Sequence, residues 1–210
     1  MKILLATHNR NKAREVSEIL FDYRDRLGEI ELLTFDDVGI ADDIEENGST
    51  FEENALIKAR VGGQAGFLTI ADDSGIEVDA LDGAPGIYSA RFSGPHGDDE
   101  ANNRLLLAKL AGLPPESRTA RYVAAIACVL PDGDSFTLRG TTEGRILDHY
   151  EGSGGFGYDP LFWSLDLNKS FGRATPEEKN AVSHRGRAVR LFAEELIARL
   201  KRKGEPDDHK

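Results

Sequence analysis

Two adjacent carboxylates, Asp72 and Asp73, follow the apolar, β-prone run at residues 67–70, and Ser74 and Gly75 come directly after them. Such a run reads as a buried strand. Carboxylates at a strand end stand where an open α/β sheet places its ligand crevice. Two acidic side chains side by side there need a cation, a proton or full solvation. The pair therefore points either to a metal or to an ordinary turn cap, since Asp and Ser are common turn residues. Beyond it, Ile76, Val78 and Ala80 alternate loosely with Glu77, Asp79 and Leu81. Gly83, Pro85 and Gly86 then break the chain into a tight loop.

The 210 residues are enough for one large domain or two small lobes around a shared core. The expected organisation is a single domain over residues 1–200, with a charged tail at 201–210. A net charge of -11 argues against binding a polynucleotide backbone. It still permits one polyphosphate, held by a local basic pocket or a metal. The single cysteine, Cys128, excludes an internal disulfide, and its apolar surroundings read as those of a buried thiol. There is no transmembrane run, and the apolar stretch after Lys2 is too brief for a signal peptide. No membrane partner and a cytoplasmic location are expected.

A strand over residues 2–6, a polar loop Thr7-His8-Asn9, and a helix with Val16, Ile19 and Leu20 on one face open the chain. Loop amides and a helix N-terminus form an anion site, with Lys12 in reach. The alternative is a plain N-cap loop closed by Asn9 or Asn11. A second strand covers 31–35, and an acidic loop with Asp42, Asp43, Glu45 and Glu46 runs to residue 49. Thr50 and Glu53 form a capping box for a helix that ends near Gly62-Gly63. A glutamate just before this helix, Glu46, could face the Asp72-Asp73 pair.

Residues 98–110 are helical with a leucine stripe, 121–130 and 135–147 form a hairpin around Pro131-Asp132-Gly133-Asp134, and 161–163 is a short strand. The glycine-rich segment 152–160 would let backbone approach a ligand. Phe156 and Tyr158 either offer faces on which a base stacks or belong to the core. Thr175, Pro176 and Glu178 start a helix. The last helix follows Ser183-His184-Arg185, with Val189, Leu191, Phe192, Leu196 and Leu200 directed inward. Lys179, His184 and Arg185 either converge on one place or are solvated charges.

Taken together, these motifs resemble the inosine triphosphate pyrophosphatase (Ham1-like) family over nearly the whole chain. The matching segments are Thr7-His8-Asn9 with Lys12, residues 51–55 with Lys58, residues 71–91, Gly155 to Pro160, and Ser183-His184-Arg185. The resemblance implies an α/β fold with an elongated mixed central sheet, flanking helices, and two lobes with the active-site cleft between them. It implies hydrolysis of ITP, dITP and XTP to the monophosphate and pyrophosphate, a Mg²⁺ requirement, and a homodimer.

Carried over by residue, Asp73 is the catalytic base and a metal ligand, and Glu46 is the other metal ligand. Thr7, His8, Asn9, Arg10, Asn11 and Lys12, with Lys58 and Ser74, hold the triphosphate. No role falls to the His8 side chain, because some members carry Gly there. Phe156, Gly157, Tyr158 and Asp159, with Lys179, His184 and Arg185, form the nucleoside pocket. Arg185, Lys179 and a protonated His184 are donors only, which suits a 6-keto purine and disfavours the 6-amino group of adenine.

Three rival readings predict different residues. The Phe156 to Asp159 and Ser183 to Arg185 segments argue against a Maf-like pyrimidine pyrophosphatase. A haloacid-dehalogenase-type phosphatase would place its nucleophile after the first strand, where this chain has Thr7-His8-Asn9. A nucleotide-binding regulator without turnover has no need of a base.

Overall fold

In a computed structural model that describes residues 1–41, 44–94 and 97–204, the apolar runs assemble into one seven-stranded sheet. Its strands are β1 (Lys2–Leu5), β2 (Glu31–Thr34), β3 (Leu68–Val78), β4 (Thr119–Val129), β5 (Ser135–Ile146), β6 (Phe162–Ser164) and β7 (Lys169–Ser170). Their spatial order is β2-β1-β3-β4-β5-β6-β7. The helices are α1 (Arg10–Phe21), α2 (Arg24–Leu27), α3 (Phe51–Gln64), α4 (Asp99–Lys109), α5 (Pro176–Val182) and α6 (His184–Gly204).

The sheet is mixed because its connections differ. β1 lies parallel to both β2 and β3, as helical crossovers require. Every pairing from β3 onward is antiparallel. β4 and β5 meet through the predicted turn, where Leu130 N donates to Asp134 O at 2.8 Å.

Strand alternation sends successive side chains to opposite faces, and helices cover both. On one face Ile70, Ala124 and Ile126 pack with Val16 and Ile19 of α1 and with Val189 and Phe192 of α6. On the other, Ala71, Ala125 and Ala127 pack with Ala55 and Ala59 of α3. A third cluster, at the far end of the sheet, joins Ile76, Tyr122 and Phe162 to Leu106 of α4 and to Leu110, which caps its C-terminus. Cys128 lies buried in the first cluster, and burial pushes its thiol up to about 12. No described helix is long and apolar enough to cross a membrane.

Several boundaries differ from expectation for identifiable reasons. Asp72 and Asp73 are inside β3, not at its end, because β4 pairs with β3 from Thr69 through Val78. α3 continues through Gly62 and Gly63 to Gln64. A Cβ on Gly62 would lie 2.6 Å from Thr69 Cγ2 and 2.7 Å from Leu4 Cδ2. That glycine permits close packing of helix on sheet rather than ending the helix. The capping box at Thr50 is half formed: Thr50 Oγ1 accepts from Glu53 N, but Glu53 Oε2 accepts from Ser49 N at 2.7 Å instead.

At α5 the box is complete. In α6, Leu191 and Leu200 are exposed, because the stripe Val189, Phe192, Ala193, Leu196 and Ile197 already fills the sheet face. That helix also runs through residues 201–204, which were expected to belong to the tail. Residues 205–210, like Asp42 and Asp43 in the acidic loop, lie outside the described residues.

Candidate active site

β1 ends at Leu5, opposite Ile70, while β3 runs on. From that point no strand pairs with β3 on its β1 side until Glu77 bridges to Pro85, and a cleft of about 700 Å³ opens over Asp72, Asp73 and Ser74. The expected crevice is therefore present, at the end of β1 rather than of β3. Its walls carry Thr7, His8 and Asn9 from the loop after β1, Lys12 from α1, and Glu46 and Lys58 from before and within α3. The α1 N-terminus is formed as predicted. Asn9 Oδ1 accepts from Asn11 N at 3.0 Å and Lys12 N at 3.1 Å, and Thr7 Oγ1 accepts from Asn9 N at 3.1 Å. Arg10 and Asn11 are exposed and do not line the cleft. His8 Nδ1 is 2.6 Å from Asp36 Oδ1 at the rim.

The two aspartates do not share one ligand. Being adjacent in a strand, they point to opposite faces, and each finds its own cation. Asp72, on the α1 and α6 face, meets Lys12 at 2.7 Å and Arg185 at 3.2 Å. Burial would raise its carboxyl, yet Arg185 and Lys12 outweigh burial and hold it far below the usual range. Asp73, on the α3 face, meets Lys58 at 3.0 Å, and Lys58 also meets Glu46 at 2.8 Å. One ammonium thus bridges the two carboxylates assigned to the metal. Burial pushes the Asp73 carboxyl above its ordinary value, against the pull of Lys58. Glu46 is less deeply placed; burial raises it, but Lys58, Lys12 and Arg91 together bring it below.

Asp73 Oδ2 is buried with no hydrogen-bond partner. An orphaned carboxylate oxygen is costly and suits a hard cation. Among the described residues no three His, Cys, Asp or Glu side chains cluster for a metal. Two carboxylates completed by substrate oxygens are nevertheless the usual complement for Mg²⁺.

The residues assigned to the nucleoside form a second cluster, joined to the cleft through Ser74, whose Oγ accepts from Arg185 at 2.8 Å. Lys179 Nζ lies 4.6 Å from the Phe156 ring centre and the Arg185 guanidinium 5.7 Å from it. These cations are not solvated charges. Lys179 bonds to Glu15 at 2.8 Å and Asp159 at 2.7 Å, and Arg185 bonds to Glu15 at 2.5 Å. Asp159 also accepts from Phe156 N and from Tyr122 Oη.

Gly157 is pinned by α4, its N donating to Asp99 and its O accepting from Asn103. Tyr158 belongs to the core: it is 5% exposed, and its hydroxyl donates to Ser89 O. Its ring is therefore not free for stacking, which leaves Phe156. His184 is not protonated as expected. Burial, then Arg185 and Lys179, lower it well below its ordinary value, and the neutral ring stacks on Tyr122 at 4.5 Å. A neutral imidazole offers one donor and one acceptor rather than two donors.

Two site residues escaped the sequence reading. Glu15 carries the bonds to Lys179 and Arg185, and a signal existed: it shares the inward stripe of Lys12, Val16 and Ile19 at helical spacing. Arg91 lines the cleft, but nothing local in its 3₁₀ segment announces that.

A mixed sheet whose strand β3 carries paired carboxylates into a cleft walled by two lysines and a capped helix N-terminus has the site of an α/β enzyme suited to a polyanion. The chain belongs to the Ham1 family, whose model matches residues 3–195. It is 49% identical to a dITP/XTP pyrophosphatase of Exiguobacterium sibiricum, over 95% of this chain and 99% of that protein. The Staphylococcus aureus Ham1 protein superposes with a TM-score of 0.82 at 37% identity, covering 95% of this chain and all of that one. A nucleoside-triphosphatase / dITP/XTP pyrophosphatase from Mycobacterium abscessus is 46% identical with a TM-score of 0.73, over 91% and 98% of the two chains.

Proposed function

We propose that the protein hydrolyses dITP, ITP and XTP to the monophosphate and pyrophosphate, removing unusual purine nucleotides before they enter nucleic acid. The observation that carries this reading is the Glu46-Lys58-Asp73 array at the floor of the cleft, with Lys12 beside it, in a chain of the Ham1 family. Attack of water on a phosphate needs charge neutralisation and positioning more than covalent help.

Asp73 receives the proton of the attacking water; its burial suits it to that task. Glu46 and Asp73 would hold Mg²⁺, which when bound would neutralise phosphate charge and acidify water. Lys58 keeps the two carboxylates together, and Lys12, the loop Thr7 to Asn9 and the α1 amides take phosphate oxygens. Phe156 stacks on the base, and Arg185 and Lys179 face its 6-keto side. The protein acts as a homodimer in the cytoplasm. The lone buried Cys128 agrees with a reducing compartment.

The test is a product assay with Mg²⁺ on ITP, XTP, ATP, GTP, CTP and UTP that resolves pyrophosphate from orthophosphate. Monophosphate plus pyrophosphate from ITP and XTP, with little from ATP, is expected. Orthophosphate release or equal rates on all six would overturn the reading.

A further inference from the structure

We propose that Arg91 grips the polyphosphate chain of the substrate and supplies a large share of its ground-state binding. The inference rests on the reaction proposed above. The cleft walls carry three side chains that are always or usually cationic, Lys12, Lys58 and Arg91. Two are already committed. Lys12 is 2.7 Å from Asp72, and Lys58 is 2.8 Å from Glu46 and 3.0 Å from Asp73. Either lysine must share its charge between a carboxylate and an incoming phosphate.

Among the described residues, the Arg91 guanidinium makes no ion pair and no hydrogen bond. It lies over the ring of Tyr88 at 5.1 Å, and its charge reaches Glu46 only through space, as the weakest of the three cations that hold that carboxyl low. A cation-π contact uses charge and leaves the N-H donors unspent. Arg91 can therefore meet a phosphate without breaking anything, and its planar fork matches two phosphate oxygens at once.

The backbone beneath Arg91 is fixed, so the side chain is aimed. The 3₁₀ segment Gly86–Arg91 lies directly on β3, because Gly75 has no side chain: a Cβ there would be 2.4 Å from Gly86 O and from Ser89 Oγ. Ser89 Oγ accepts from Ile76 N at 2.9 Å, Ala90 O accepts from Gly97 N at 2.9 Å, and Arg91 O accepts from Gly94 N at 3.1 Å. The strand that carries Asp73 thus also positions Arg91 across the cleft.

The experiment compares the wild type with Arg91→Ala and Arg91→Lys. It measures calorimetric binding of inorganic tripolyphosphate in the presence of Mg²⁺, steady-state kinetics on ITP and ATP, and the thermal midpoint. Arg91→Ala should weaken tripolyphosphate binding and raise KM for ITP by roughly tenfold to a hundredfold. Its effect on kcat should be smaller, and the ITP/ATP preference and the midpoint should not change. Arg91→Lys should recover part of the affinity. If the wild type turns over ITP and Arg91→Ala matches it in both KM and tripolyphosphate affinity, the assignment falls. If the wild type releases no pyrophosphate from ITP while Arg91→Ala still loses tripolyphosphate, the proposed reaction falls and Arg91 keeps its role as a polyphosphate ligand.

Discussion

Asp73 has a buried oxygen without a partner and a lysine on its other oxygen, so its shape and its proton affinity can be separated. Asp73→Asn keeps the shape and removes the base. Turnover should fall by at least about 10²-fold, with the circular dichroism spectrum unchanged; undiminished turnover would remove the assignment. Glu15 makes a contrasting case. It lies under two cations, Lys179 and Arg185; Glu15→Ala leaves them sharing one fewer carboxylate in a buried setting. Breaking such a set costs about 3 kcal/mol or more, to be read as a lower urea midpoint. The meeting of Asp73, Lys12 and Lys58 at one cleft was legible only through the family resemblance, whose motifs are local. Tyr158 and His184 were not: whether a ring faces solvent or core depends on Ser89 and Tyr122, both distant in sequence.

Elements were legible where their signals were local. The α5 cap formed as written in Thr175 and Glu178, and the turn at 131–134 joins the predicted pair of strands. The length of β3 was not legible, because Asp is a poor strand former and only pairing with β4 keeps Asp72, Asp73 and Ser74 in the ladder. The seat of α6 depends on Gly140 of β5. A Cβ at that position would lie 2.2 Å from His184 O and 2.6 Å from Ala188 N. Since both are backbone atoms, the helix itself would have to move. Gly140→Ala should destabilise by about 1–3 kcal/mol, seen in thermal unfolding. It should also lower kcat/KM for ITP, because His184 and Arg185 sit on the displaced turn. Wild-type stability in that variant would show that the contact is soft.

Across the molecule, pH acts mainly through carboxylates tied to buried cations. Asp72, Glu15 and Glu46 are held below their ordinary values in the fold, each against burial: Asp72 by Arg185 and Lys12, Glu15 by Arg185 and Lys179, Glu46 by Lys58 first. A depressed native value contributes stability above the unfolded value, near pH 4, and loses it as the pH falls below that. Asp73, raised by burial, works in the opposite direction but stands alone against three. His184, lowered by burial, adds a loss that begins as the pH falls below about 6.5. Urea unfolding should therefore give a stability that declines below about pH 6.5 and more steeply below about pH 4.5; a flat profile down to pH 3 would contradict the buried pairing.

The placement of Asp72 and Asp73 on opposite sides of β3 also bears on inheritance. Strand parity, not composition, decides which of the two identical residues faces Lys58 and which faces Lys12 and Arg185. A single codon gained or lost between positions 68 and 72 would exchange their surroundings while leaving every side chain in the family motif intact. Such a gene would still read as a pyrophosphatase and, on the proposed role of Asp73, should encode an inactive one. Length changes in this lineage should therefore accumulate in the loops and spare the segment from Leu68 to Val78.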